Sequence, residues 1–175
     1  MKNFITLVFA SFLAIQVMAQ DISSSSKSTS NSTFSLGIET GLPTGDFSNT
    51  HSFAIGASAK VAAELSANAA FTISVGYMSF SGKTVTVLGS SFKNDAFNVI
   101  PVKAGIRGIF DGGFYVEPQI GYTFFTGNNS SGAFTYAPSI GFITDSKIDF
   151  SLRYEVMTRN NSNLSLFGVR LGFGL

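Results

Sequence analysis

One histidine, ten carboxylates and no cysteine are the reactive stock of this 175-residue chain. The histidine lies in "GDFSNTHS", where Asp46, Ser48, His51 and Ser52 fall close together. A serine nucleophile needs a base to take its proton and a third group to orient that base, and these residue types could supply all three. Asp, Ser, Asn and His are equally the ordinary residues of a wet turn. That reading is preferred, and no catalytic residue is assigned. Without cysteine and with a single histidine, a metal would have to rest on carboxylates, and no EF-hand or similarly spaced acidic motif occurs. The glycine-bearing "GIRGIF" and "GVRLGFG" are not phosphate loops, because no helix follows them. No metal and no cofactor are expected.

The other chemical groups sit in strands. "KIDFSLRYEV" alternates Ile148, Phe150, Leu152, Tyr154 and Val156 with Asp149, Ser151, Arg153 and Glu155, a two-residue period that makes one apolar and one charged face. The same parity elsewhere sets Glu39, Lys60, Glu64, Lys103, Arg107, Glu117 and Arg170 on the polar faces of their strands. Most strand glycines share those faces: Gly37, Gly56, Gly76, Gly105, Gly121, Gly141, Gly168 and Gly172. Glycine weakens an open, solvated sheet face. A crowded lumen has use for it, because an eight-stranded barrel is just wide enough for side chains to fill, and long Arg and Glu need empty neighbours. The ten charged residues are therefore read as an inward, nearly neutral ion-paired network, a plug in preference to a narrow water path. The bulky apolar residues face lipid. Slipping the seventh strand by one residue would turn its charges outward, at roughly 2–4 kcal/mol for each Arg or Lys at mid-membrane.

Composition agrees. Charged residues make up 12% of the chain, about half the usual globular share of roughly 25%, and mean hydropathy is positive. A net charge of +1 argues against a nucleic-acid partner. Lys2, the apolar run Phe4 to Val17 and the small-residue end "VMA" read as a signal peptide over 1–19. Residues 20–32 read as a flexible Ser-rich tail, and 33–175 as the barrel.

Eight strands are expected, near 33–41, 53–65, 70–81, 97–110, 114–126, 133–143, 147–157 and 164–175. Most reach the roughly 9–11 residues that cross a bilayer at a tilt. Tight connections ("SANA", "DGG", "TDSK") alternate with longer ones ("LPTGDFSNTHS", "SGKTVTVLGSSFKND", "GNNSSG", "TRNNSN"), the pattern of an antiparallel up-and-down transmembrane β-barrel. Aromatic girdles would come from Phe71, Phe110, Phe114 and Phe173 at the short-turn side, and Tyr77, Tyr122, Phe124, Tyr136 and Tyr154 toward the other. The structural rival is a secreted soluble β-sandwich, which explains the period but not the sparse charge or the glycines. Pro101, Pro118 and Pro138 fall inside strands and remove ladder bonds, so bulges or shifted strand boundaries are expected there.

The signal sequence ending "VMAQ", the first hairpin "FSLGIETGLPTGDFS", the phrase "IPVKAGIRGIF" and the terminal strand "FGVRLGFGL" resemble the small outer-membrane β-barrels of the OmpA/OmpX type, and those of Bacteroidota in particular. The resemblance implies outer-membrane lipids as surroundings and the barrel-assembly machinery as a partner reading the last strand, although here Gly174 and Leu175 follow the aromatic Phe173. It also raises the lipid-modifying barrels, whose His and Ser lie at the outer rim. The expected function is non-enzymatic: structural support or loop-mediated contact with an extracellular ligand. A narrow pore for small solutes is the first alternative and a rim lipid-modifying enzyme the second. Nothing in the sequence sets the oligomeric state.

Overall fold

The computed structural model describes residues 32–87, 90–126, 131–160 and 162–175, with backbone alone for 85–87 and 90–93. The expected signal peptide (1–19) and nearly all of the expected tail (20–31) lie outside the described residues. Ser32, placed in the tail by its composition, already belongs to the first strand.

Eight long strands form one sheet that closes on itself. They are β1 (Ser32–Thr44), β2 (His51–Ser66), β3 (Ala69–Gly82), β6 (Phe97–Ile109), β7 (Phe114–Thr126), β8 (Ser131–Ile143), β9 (Ile148–Arg159) and β10 (Ser162–Gly174). Each pairs antiparallel with its neighbours in the order β1-β10-β9-β8-β7-β6-β3-β2, and β2 returns to β1. The sandwich reading is thereby overturned: the eight long strands close into one sheet instead of dividing between two that face each other. A further hairpin, β4 (Thr84–Val87) and β5 (Ser90–Lys93), stands in the stretch read from sequence as plain loop. Its Gly, Ser and Lys content hid two short runs that pair with each other. One turn of helix, α1 (Phe47–Thr50), follows β1.

The tight connections all fall at the end of the barrel where β1 begins and β10 finishes, here the turn end. "DGG" turns there with Gly112 and Gly113 at φ 79° and 84°, a conformation that glycine adopts without a Cβ clash. The longer connections gather at the opposite, loop end.

The three prolines sit within strands and do not make bulges. Pro101 pairs with Thr123 across β6–β7, while the β3–β6 ladder skips from Val75–Val102 to Met78–Val99 in unchanged register. Pro118 and Pro138 stand opposite each other across β7–β8. Their other neighbours carry the interruptions, from Gly105–Gln119 to Gly108–Val116 and from Tyr136–Val156 to Ser139–Arg153. A closed sheet flanks each strand on both sides, so losing one donor opens one ladder locally while the other holds the register. The register shifts that do occur lie between His51 and Phe53 and between Glu64 and Ser66, at the two ends of β2.

The outward face is a belt of large apolar side chains, among them Leu36, Ile38, Ile73, Ile106, Ile120, Phe150 and Phe167, each exposed. All nine residues expected in the aromatic girdles also point outward. Soluble monomers rarely expose a contiguous apolar surface of this kind, which marks a membrane or protein interface.

Candidate functional site

The lumen is layered, and the layering follows from which residue each strand turns inward at each height. Nearest the turn end, β9 contributes Asp149, β7 Tyr115 and Glu117, β6 Arg107, β2 Lys60 and β10 Arg170, all buried. Glu117, with no exposed surface, accepts hydrogen bonds from Lys60 Nζ at 3.0 Å, Thr72 Oγ1 at 3.2 Å and Arg107 at 2.7 Å. Asp149 Oδ1 accepts from the Tyr115 hydroxyl at 2.5 Å. Its Oδ2 accepts from Arg107 Nη2 at 3.3 Å and Arg170 Nη1 at 3.2 Å. The Arg107 guanidinium also lies 4.0 Å from the centre of the Tyr115 ring, a cation–π contact. Arg170 is completed by Ser58 and Ser35, to which its Nε and Nη2 donate at 3.0 and 3.1 Å.

A second layer lies toward mid-barrel. Arg153 Nη2 donates to Glu39 Oε2 at 2.5 Å, and Lys103 Nζ to Glu155 Oε2 at 2.6 Å. Arg153 Nε sits 3.0 Å from the same Glu155 oxygen. Glu155 Oε1 is buried without a hydrogen-bond partner among the described residues. Arg170 Nε, 3.8 Å from Glu39 Oε1, links the two layers.

Glycine makes room for these long side chains. A methyl group added at Gly37 would fall 2.8 Å from Arg170 Nε, and one at its cross-strand partner Gly172 would strike Nη1 of the same guanidinium.

The third layer, toward the loop end, is apolar. Ala54, Met78, Phe80, Val99, Ala133, Met157 and Leu166 fill it, and Phe47 of α1 drops into its mouth. These positions share the inward parity of their strands, but their apolar character breaks the polar-in, apolar-out alternation, so the sequence pattern does not reveal the layer. Thr72, Tyr115, Gln119 and Thr123, on the polar faces of their strands by parity, are inward and buried as well, and Thr135 joins them.

Nine of the ten charged residues assigned to the lumen therefore meet in ion pairs. Glu64 does not. It is exposed, at the turn-end mouth, and pairs with no cation among the described residues. The reason is its height: it falls at the register shift where β2 runs out.

The four loop residues are not joined into a nucleophile–base arrangement. Ser48 donates to the Gly45 carbonyl at 2.7 Å, and Ser52 to the Ser81 carbonyl at 3.4 Å. His51 Nδ1 meets Thr50 Oγ1 at 2.9 Å, and its ring packs among Phe47, Phe80 and Phe97. Asp46 contacts neither His51 nor a serine hydroxyl among these bonds.

No protein-family model matches the chain, and no curated protein sequence matches it. Solved structures do. The outer-membrane protein Ail of Yersinia pestis in a phospholipid bilayer nanodisc is similar at a TM-score of 0.59 and 13% identity, over 83% of this chain and all of that one. The crystal structure of Ail with the heparin analogue sucrose octasulfate gives 0.54 and 13%, over 82% and 97%. A chain from the de novo design of transmembrane β-barrels gives 0.51 and 11%, over 82% and 95%. A designed barrel and a bacterial surface protein fit the same backbone, so the likeness carries architecture and leaves activity to the side chains. This chain has the eight-stranded barrel fold of small outer-membrane proteins.

Proposed function

We propose that this chain is a non-enzymatic outer-membrane barrel, exported by its signal peptide, that holds a loop-end surface at the cell exterior for contact with extracellular ligands. The observation that carries this reading is a lumen blocked by ion pairs in its turn-end and middle layers and by apolar side chains toward the loop end. An apolar layer whose members are almost without exposed surface has no place for hydrated ions, which speaks against the narrow pore. Work is then left to the surface. The apolar belt favours acyl chains as surroundings over water. The turn end, with its tight connections, would face the periplasm, and the loop end, with α1 and the β4–β5 hairpin, the outside. The solved complex of Ail with a sulfated heparin analogue supports an extracellular ligand as the kind of partner a barrel of this fold can meet. Kinship with Bacteroidota barrels, and the role of the assembly machinery, rest on the motifs quoted above.

Three measurements on the full chain test the reading. The expressed protein should fractionate with the outer membrane and shift its gel mobility on boiling. Refolded into planar bilayers it should be electrically silent. Lipid A from an overexpressing strain should keep its mass spectrum. Steady conductance would restore the pore, and a new lipid A species the enzyme.

A further inference from the structure

Charge is not evenly matched between the two polar layers of the lumen. In the middle layer Lys103 and Arg153 face Glu39 and Glu155, two cations against two carboxylates. In the turn-end layer Lys60, Arg107 and Arg170 face Glu117 and Asp149, and the one further carboxylate, Glu39 at 3.8 Å from Arg170, is already paired with Arg153 in the middle layer. One positive charge is left over among the described residues, in a setting where an unmatched buried ion is costly.

The excess lies beside a cavity. A vestibule of about 210 Å³ opens at the turn end and reaches down to Lys60, Arg107 and Asp149. Its floor holds unused donors. The Lys60 ammonium carries three N–H bonds and spends one, on Glu117. Arg107 spends Nε and Nη2 on Glu117 and Asp149, and Nη1 makes no hydrogen bond among the described residues. Ser35, on the β1 wall, accepts from Arg170 through its oxygen and keeps its own proton to donate. Thr33 adds a second hydroxyl above it. Asp149 also reaches the cavity, but its carboxylate already accepts three bonds. Glu64 stands at the mouth.

We propose that this vestibule binds one phosphate-class oxyanion, held by Lys60, Arg107 and the Ser35 and Thr33 hydroxyls. A tetrahedral anion offers oxygens in several directions at once, which suits donors converging from β1, β2 and β6 better than a planar carboxylate would. Arg matches phosphate geometry, and Lys supplies a compact point charge. A bound anion brings the layer to neutrality and takes up the idle N–H groups. The source is either free phosphate or the phosphate of a lipid headgroup reaching in from the turn-end side. The site lies at the opposite end from the loop surface and does not depend on the role given to that surface.

The test uses the full chain refolded in zwitterionic micelles, with unfolding followed against inorganic phosphate while chloride holds ionic strength constant. Ligand that binds only the folded state raises the folding equilibrium constant about a hundredfold at a hundred times its dissociation constant. The expected result is a saturable rise of this kind that is absent in Lys60→Met and kept in Lys103→Met, a variant equally buried in the balanced middle layer. Should Lys60→Met fail to fold, Ser35→Ala and Thr33→Val serve, each expected to weaken binding several-fold. Glu64→Gln, which removes a like charge from the mouth, is expected to tighten it. A parallel titration with short-chain phosphatidic acid below its micelle-forming concentration separates the sources: saturation by phosphate identifies the free anion, and by the lipid alone the headgroup. No saturable effect from either ligand, or an effect lost equally in Lys103→Met, overturns the proposal.

Discussion

Replacing Glu117 by Gln keeps the shape of the side chain and removes its charge, at the point where the turn-end layer is most dependent on one carboxylate. Glu117 is fully buried and holds Lys60 at 3.0 Å and Arg107 at 2.7 Å. Without it, Lys60 would lose its one ion pair among the described residues, and Arg107 would be left to share Asp149 with Arg170. Breaking a buried pair by removing one partner costs roughly 3–5 kcal/mol, about 150- to 5,000-fold in the folding equilibrium constant. Guanidinium unfolding of the refolded barrel in lipid vesicles, read by gel mobility before boiling and by far-ultraviolet circular dichroism, measures that loss. Lys60→Met in the same background returns the layer to a single excess charge, and the pair should recover about 0.5–3 kcal/mol as coupling. Glu64→Gln is the internal control, expected within about 0.5 kcal/mol of the parent because its carboxylate touches no cation. If Glu117→Gln unfolds where Glu64→Gln does, the network does not hold the wall.

Other layers give their own expectations. Phe80→Ala, in the apolar layer, should cost about 3–5 kcal/mol in the same unfolding assay. Pairing it with Phe47→Ala removes two of the side chains that close the loop end, and bilayer recordings of that double variant should show transient current where the parent shows none. Gly37→Ala should destabilise by roughly 1–3 kcal/mol, since its methyl would lie 2.8 Å from Arg170 Nε. Ala at Gly112 meets no atom within 4 Å and should cost only the strain of its positive φ. Ile38→Arg, on the outward face of β1, should cost about 2–4 kcal/mol when folding into a bilayer.

Parity made the polar half of the lumen readable. Arg153 and Glu155 alternate with Leu152, Tyr154 and Val156, and only one face of such a strand can meet lipid. What parity could not supply was height along the barrel. Glu64 has inward parity but is the last residue of β2 before its register shift, at the turn-end mouth, so it meets water. Met78, Phe80, Met157 and Leu166 point inward too, yet a hydrophobicity pattern reads an apolar residue as outward, so a whole layer stayed hidden. The prolines were misjudged for a related reason. A closed sheet has no edge to take a missing donor, which suggested bulges, but each strand has two ladders and the intact one keeps the register. The β4–β5 hairpin went unseen because four-residue strands in a Ser- and Gly-rich stretch carry too little period to register. His51 shows the reverse case: spacing suggested a base, and packing among Phe47, Phe80 and Phe97 turned its ring into part of the apolar cap.

The central claim is that charged side chains fill the tube while bulky apolar ones meet acyl chains. The chain has no tryptophan, so a single introduced one reports on its own surroundings. Ile120→Trp places the indole on the outward face and Ala137→Trp on the inward face, both well inside their strands. In vesicles of lipids brominated along the acyl chains, fluorescence of the first should be strongly quenched and that of the second left nearly intact. Equal quenching of the two, or stronger quenching at position 137, would contradict the account.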